Sequence, residues 1–130
     1  MTTESRDQVV KYRDASRHYL ENALVMLEKG EASKAWELLW RSVAQALQAV
    51  AAVRGTRLAN HSSLRWFASY VARELGDRSI SNGFWQAEAL HSNFHEVEFT
   101  PEEVASTVDS ITEAASRLLA LIPEELVESQ

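Results

Sequence analysis

The stretch Ala32-Ser-Lys-Ala-Trp36-Glu-Leu-Leu-Trp40-Arg-Ser-Val43-Ala-Gln-Ala-Leu47-Gln-Ala-Val50-Ala-Ala-Val53 decides the fold. Trp36, Leu39, Val43, Leu47 and Val50 recur every three or four residues, the period of one helical face. Ala35, Leu38, Ala46 and Val53 form a second stripe beside the first, so the apolar arc is wider than a helix facing solvent needs. A helix with that arc belongs at the centre of a bundle. Trp40 and Arg41 fall at the rim of the arc, and Gly55 supplies a stop.

The same period runs outward in both directions. A first helix is predicted from about Glu4 to Lys29, with Tyr12, Tyr19, Ala23 and Met26 along one edge, Leu20, Leu24 and Leu27 along the next, and Gly30 as terminator. Residues 55–61, Gly-Thr-Arg-Leu-Ala-Asn-His, read as a polar crossing. Asn60 or Ser62 caps a third helix that buries Leu64, Phe67, Val71 and Leu75 and stops at Gly76. A fourth helix runs from Ser79 or Ser81 to Phe94 or His95. Thr100-Pro101-Glu102-Glu103 is a complete capping box with proline at the first helical position. It opens a fifth helix with Val104, Val108, Ile111, Ala115, Leu118 and Ile122 on one stripe. Pro123 ends it, and 124–130 is expected to be a frayed acidic tail. The expectation is one all-α domain over 1–130 with its core at about 8–122. It is an up-and-down antiparallel bundle of four long helices and one shorter helix.

Composition narrows the class. With 130 residues, one domain can bury about two-thirds of its unfolded surface. No apolar run approaches the ~20 residues that span a bilayer, and the N-terminus has no apolar signal core, so a cytoplasmic protein without membrane contact is expected. The absence of cysteine excludes disulfides and thiolate metal sites. The net charge of −6 is unevenly spread: residues 41–78 carry six arginines against Glu74 and Asp77, while 79–130 carry Arg117 against ten acids. That balance disfavours general nucleic-acid binding, yet the arginine-rich third can still hold a phosphate.

Chemistry concentrates in Glu88-Ala-Leu-His91-Ser-Asn93-Phe94-His95-Glu96, where titratable groups interrupt the Ile80–Phe84–Ala87 stripe. A histidine on the buried side of a helix needs partners for its ring nitrogens, because an unpaired buried polar group costs about 1–3 kcal/mol. Such a cluster can be a metal site, an acid–base pair or a hydrogen-bonded core. Glu88 and His91 make one Glu-x-x-His half-motif, but a di-iron bundle needs a second and there is none. His91 and His95 lack the intervening glutamate of the protease motif. No metal or cofactor is therefore assigned. His61 is expected to approach His91 across the crossing between the second and third helices.

The segments Leu27-Glu-Lys-Gly30-Glu, Lys34-Ala-Trp36-Glu37-Leu-Leu-Trp40-Arg, the loop with His61 and Ala87-Glu-Ala-Leu90-His91-Ser-Asn93-Phe94 together resemble small HEPN-type helical proteins. The likeness is to a prokaryotic PaREP-type branch and covers roughly 8–122. That branch has tyrosine where this chain has His95. The resemblance implies a bundle that commonly dimerises and a superfamily of ribonucleases, partners of minimal nucleotidyltransferases and nucleotide-binding modules. Its ribonucleases place four to six residues between an arginine and a histidine. Arg54–His61 and Arg13–His18 both meet that spacing. The expected function is a non-catalytic binding or assembly module, a homodimer recognising a nucleotide or a protein partner, with His61, His91, Asn93, His95 and Arg41 at the ligand. The alternative is a metal-independent ribonuclease with Arg54 or Arg57 on phosphate and His61 or His91 as acid–base, a role suited to a ring whose ordinary pKa is ~6.5. Four tryptophans exceed what one small core needs, and Trp40 or Trp85 is expected in the dimer interface.

Overall fold

Helix α1, Thr3–Glu28, begins where the Thr2 hydroxyl accepts the Ser5 amide at 3.0 Å. It is the first of six helices in a computed structural model that describes residues 2–93 and 99–128. The others are α2 (Ala32–Val53), α3 (His61–Leu75), α4 (Arg78–Asn93), α5 (Pro101–Leu119) and the single turn α6 (Glu125–Glu128). The all-α bundle expected from the 3.6-residue period is what the chain forms, with five long helices and one short one.

Helix α2 occupies the centre. It packs against α1, α3, α4 and α5, and Trp36, Leu39, Val43, Leu47 and Val50 are all buried. The α1–α2 hairpin closes tightly because Ser16 and Ser42 are small and satisfy each other: Ser16 Oγ donates to the Ser42 carbonyl at 2.7 Å, and Ser42 Oγ donates to the Ser16 carbonyl at 2.8 Å. Both serines are fully buried, and neither was marked by the apolar stripes. Leu24, placed on a stripe of α1 by its spacing, is instead 43% exposed. The buried face of α1 runs through Val9, Val10, Ser16 and Ala23.

The α2–α3 connection departs from a hairpin. Gly55 adopts φ +76°, the left-handed conformation that closes the end of a helix, and Thr56 N–H donates back to the Ala51 carbonyl at 2.9 Å. The chain then runs back along α2. Gln48 holds the Leu58 backbone at both ends, its Nε2 donating to the Leu58 carbonyl at 2.7 Å and its Oε1 accepting the Leu58 amide at 3.2 Å. Leu58 is buried within this otherwise polar segment. Residues 56–60, after the turn at Arg54 and Gly55, carry the chain from the end of α2 back toward Trp40. His61 thus starts α3 beside Trp40, while Arg54 at the far end of α2 pairs with Glu74 near the end of α3. Helices α2 and α3 therefore point the same way, and the up-and-down alternation is interrupted once.

Asn60 caps α3 by accepting the Ser63 amide at 2.9 Å. Leu64, Phe67 and Val71 are buried as expected, but Leu75 is 45% exposed, because the packed face continues through Ala68 and Ala72. Gly76, at φ +62°, turns the chain into α4, where Ile80, Phe84 and Ala87 enter the core. Gly83 has a different role from the helix-end glycines. A Cβ there would collide with Ala114 Cβ and lie 2.6 Å from the Ser110 carbonyl oxygen, so α4 and α5 cross at backbone contact. Beyond Pro123 the tail expected to fray is partly anchored, since Val127 of α6 packs on Val9, Ala49 and Ile122. Among the described residues no helix is long and apolar enough to cross a membrane.

Two substitutions test this architecture. Gly83→Ala should destabilise the fold by about 1–3 kcal/mol, as forced overpacking does, read by denaturant unfolding; an unchanged midpoint would contradict the close crossing. The capping box at Thr100 is present in both directions, the Thr100 hydroxyl accepting the Glu103 amide and the Glu103 carboxylate accepting the Thr100 amide. Thr100→Ala should cost about 0.5–2 kcal/mol in thermal melts.

Candidate functional site

Three pairs of residues at helical spacing meet at one end of the bundle. Glu37 and Arg41 are four apart on α2, with Trp40 between them; His61 and Arg65 are four apart at the start of α3; Glu88 and His91 are three apart near the end of α4. Spacings of three or four put each pair on one helical face. The crossover described above is what brings α3 into range of the other two.

The centre of the cluster is a set of three rings. His91 stacks on Trp40 with centroids 4.3 Å apart and planes 15° apart, and His61 stacks on Trp40 at 4.9 Å and 16°. The two imidazoles are 5.7 Å from one another, much too close for the indole to lie between them. Both rest against the same side of Trp40. The approach of His61 to His91 expected from the sequence is therefore present in the geometry.

Each imidazole has its own carboxylate. His91 Nδ1 lies 2.8 Å from Glu37 Oε2. The other oxygen of Glu37 accepts from Arg41 Nε at 3.0 Å. Burial tends to raise the Glu37 pKa, but the hydrogen bonds from Arg41 and His91 outweigh it and hold the carboxyl below its ordinary value. An ionised carboxylate only accepts, so Nδ1 of His91 is the donor in this bond. The hydrogen bond to Glu37, with a lesser one to Tyr19, raises the Arg41 pKa, and the guanidinium also sits 5.9 Å from the Tyr19 ring centroid. His61 Nδ1 is 3.5 Å from Glu88 Oε1, and Arg65 Nε is 3.6 Å from the same oxygen. Among the described residues, Glu88 Oε2 and Trp40 Nε1 are buried without a hydrogen-bond partner.

The Glu88–His91 half-motif is thus divided. Glu88 serves His61 and Arg65, and His91 is served by Glu37. No group of three or more metal-ligating side chains occurs among the described residues. Of the residues marked from the sequence, His61, His91 and Arg41 are brought together. The side chain of Asn93, and His95 altogether, lie outside the described residues. Arg54 is elsewhere: it pairs with Glu74 and lies 5.6 Å from the Phe67 ring centroid, toward the far end of α3 from His61. Arg57 is exposed on the crossover beside Gly55 and Thr56. The Arg54–His61 spacing therefore does not put the two side chains at one site, because the intervening residues are extended rather than helical. Sequence reasoning missed Glu37 and Arg65 as members of the cluster. Their i, i+4 spacing to Arg41 and His61 was the available signal.

The fold and site define a class: an all-α bundle with a polar cluster in which two histidines, each with its Nδ1 toward a carboxylate, stack on one side of a tryptophan. The sequence model of the Archaeal PaREP1/PaREP8 family matches residues 11–115, and the chain belongs to that family. The family is archaeal, which is narrower than the prokaryotic branch expected from the motifs. No curated protein and no solved structure matches the chain.

The charge on Glu37 gives a pH signature. A carboxylate whose folded pKa is depressed stabilises the fold above its unfolded pKa, and that contribution disappears as pH falls through the folded value. Wild type should therefore melt above Glu37→Gln at neutral pH, and the gap should close as pH drops below the ordinary carboxylate range of about 4. A gap that stays constant down to acid pH would mean Glu37 is not held as an anion.

Proposed function

We propose that the chain is a non-catalytic recognition module that binds a nucleotide through its phosphate at the Trp40–His61–His91 cluster. The observation that carries this reading is the orientation of the two imidazoles. Each has its Nδ1 toward a carboxylate, so both Nε2 edges are left for a ligand, with Arg65 alongside. An imidazole nitrogen can donate a hydrogen bond to a phosphate oxygen, and Nε2 is the nitrogen on each ring that faces away from its carboxylate. His61 is half exposed and Arg65 nearly so, which gives the ligand access. The likeness to HEPN-type proteins, which include nucleotide-binding modules, supports the same reading.

The ribonuclease alternative has less to rest on. As read from the sequence it puts Arg54 or Arg57 on the scissile phosphate beside His61, and Arg54 is engaged with Glu74 toward the other end of α3 instead. Titration calorimetry with AMP is the direct test. His61→Ala and Arg65→Ala should each weaken AMP binding at least about ten-fold, equivalent to ~1.4 kcal/mol, and RNA incubated with the protein should keep its length. RNA cleavage that His61→Ala abolishes would replace this reading with the ribonuclease one. Failure of AMP to bind would remove it.

A further inference from the structure

The outer face of the α3–α4 hairpin is unlike the rest of the surface. Trp66 is 58% exposed, Trp85 51% and Tyr70 42%. Trp66 and Tyr70, one turn apart on α3, stack on each other at 5.2 Å. One turn further along, a groove of about 620 Å³ opens between the helices, lined by Ser69, Arg73, Arg78, Ser81, Asn82 and Trp85. Neither Arg73 nor Arg78 has a carboxylate within ion-pair distance among the described residues. The acids nearest in sequence are occupied: Glu74 pairs with Arg54, and Asp77 pairs with Arg117 and accepts from Ser79. Toward the start of α3, Arg65 stands one turn before Ser69 of the groove and shares Glu88 with His61 in the cluster.

We infer that this face binds a single-stranded nucleic acid, with one nucleotide seated at the histidine cluster and its neighbours laid along α3 and α4. The inference rests on the nucleotide reading of the cluster and extends it from a mononucleotide to a chain. Exposed aromatic rings stack bases of any sequence, and arginines spaced between them neutralise successive phosphates. Helix α3, with 15 residues, is about 22 Å long at its ordinary rise, room for a short oligonucleotide rather than a single nucleotide. Ser69 and Asn82 in the same groove add donors to phosphate and sugar without adding negative charge.

A second copy of the chain is the competing occupant, since exposed tryptophans also mark protein interfaces. A two-fold dimer through this face would lay it on itself, and like patches meet across such an axis. The groove lining holds no carboxylate, so Arg73 and Arg78 of one copy would find no acid in the groove of the other. A polyanion meets the same arginines favourably. The local charge, not the −6 of the whole chain, decides the preference.

The test compares AMP with oligonucleotides of about eight residues, a length within single-stranded site sizes, as RNA and as DNA, on the full chain. The oligonucleotide should bind at least ten-fold more tightly than AMP. The double variant Arg73→Ala/Arg78→Ala, and separately Trp85→Ala, should bring its affinity down toward that of AMP while leaving AMP binding unchanged. Removing two phosphate contacts should also flatten the salt dependence, the slope of log K against log salt falling by about 1.4. These side chains are exposed, so the variants should keep the wild-type melting temperature. Oligonucleotide binding no tighter than AMP would overturn the inference, and so would equal loss of both ligands in the variants. A dimer by sedimentation that Trp85→Ala dissociates, with oligonucleotide affinity unaltered, would assign the face to a second copy. If AMP fails to bind but the oligonucleotide binds and depends on Arg73 and Arg78, the stripe stands and the cluster reading falls alone.

Discussion

The grip of Gln48 on the backbone of Leu58 determines what this bundle can do. Two hydrogen bonds from one side chain satisfy both polar groups of a residue whose own side chain is buried. An extended segment lying on a helix has no ladder of its own, and buried backbone groups without partners cost free energy comparable to lost hydrogen bonds. Gln48 supplies those partners at the middle of the crossover. With the segment fixed there, α3 has to begin next to Trp40. A hairpin after Gly55 would have started α3 at the opposite end and left His61 far from His91.

The site that results is held from three directions. The Ser16–Ser42 contact places α1 close on α2, which puts Tyr19 near Arg41 and through it steadies Glu37. The Gly83 crossing sets α4 against α5 at a separation no other residue permits. Arg117 reaches from α5 to Asp77 at the α3–α4 turn, 3.0 Å away, so the hairpin bearing the arginine and aromatic face is tied at its far end too. Packing interactions therefore set the positions of helices whose exposed faces carry the polar chemistry.

Much of the fold was legible because apolar period and helix-end chemistry are local properties. The arc on 32–53, the capping box at Thr100 and the stops at Gly30, Gly55 and Gly76 all follow from neighbouring residues. What was hidden depended on contacts between distant segments. Ser16 and Ser42 look like surface residues until each is seen to bond the other helix. Gly83 looks like a weak point in α4 until Ala114 is placed beside it. The His61–His91 proximity could be argued because His91 interrupts an apolar stripe, which implies a partner. The exclusion of Arg54 could not, because sequence spacing measures separation along the chain, and residues 56–60 run back along α2 instead of continuing a helix.

The cluster of Val9, Ala49, Ile122 and Val127 lies where α1 starts and α6 ends, while Trp40 and the histidines sit toward the start of α2. Both described ends of the chain are thus gathered at one pole of the bundle and the polar cluster at the other. Anchoring the protein to a surface or fusing it to a second domain, through either end, would orient the cluster away from the attachment.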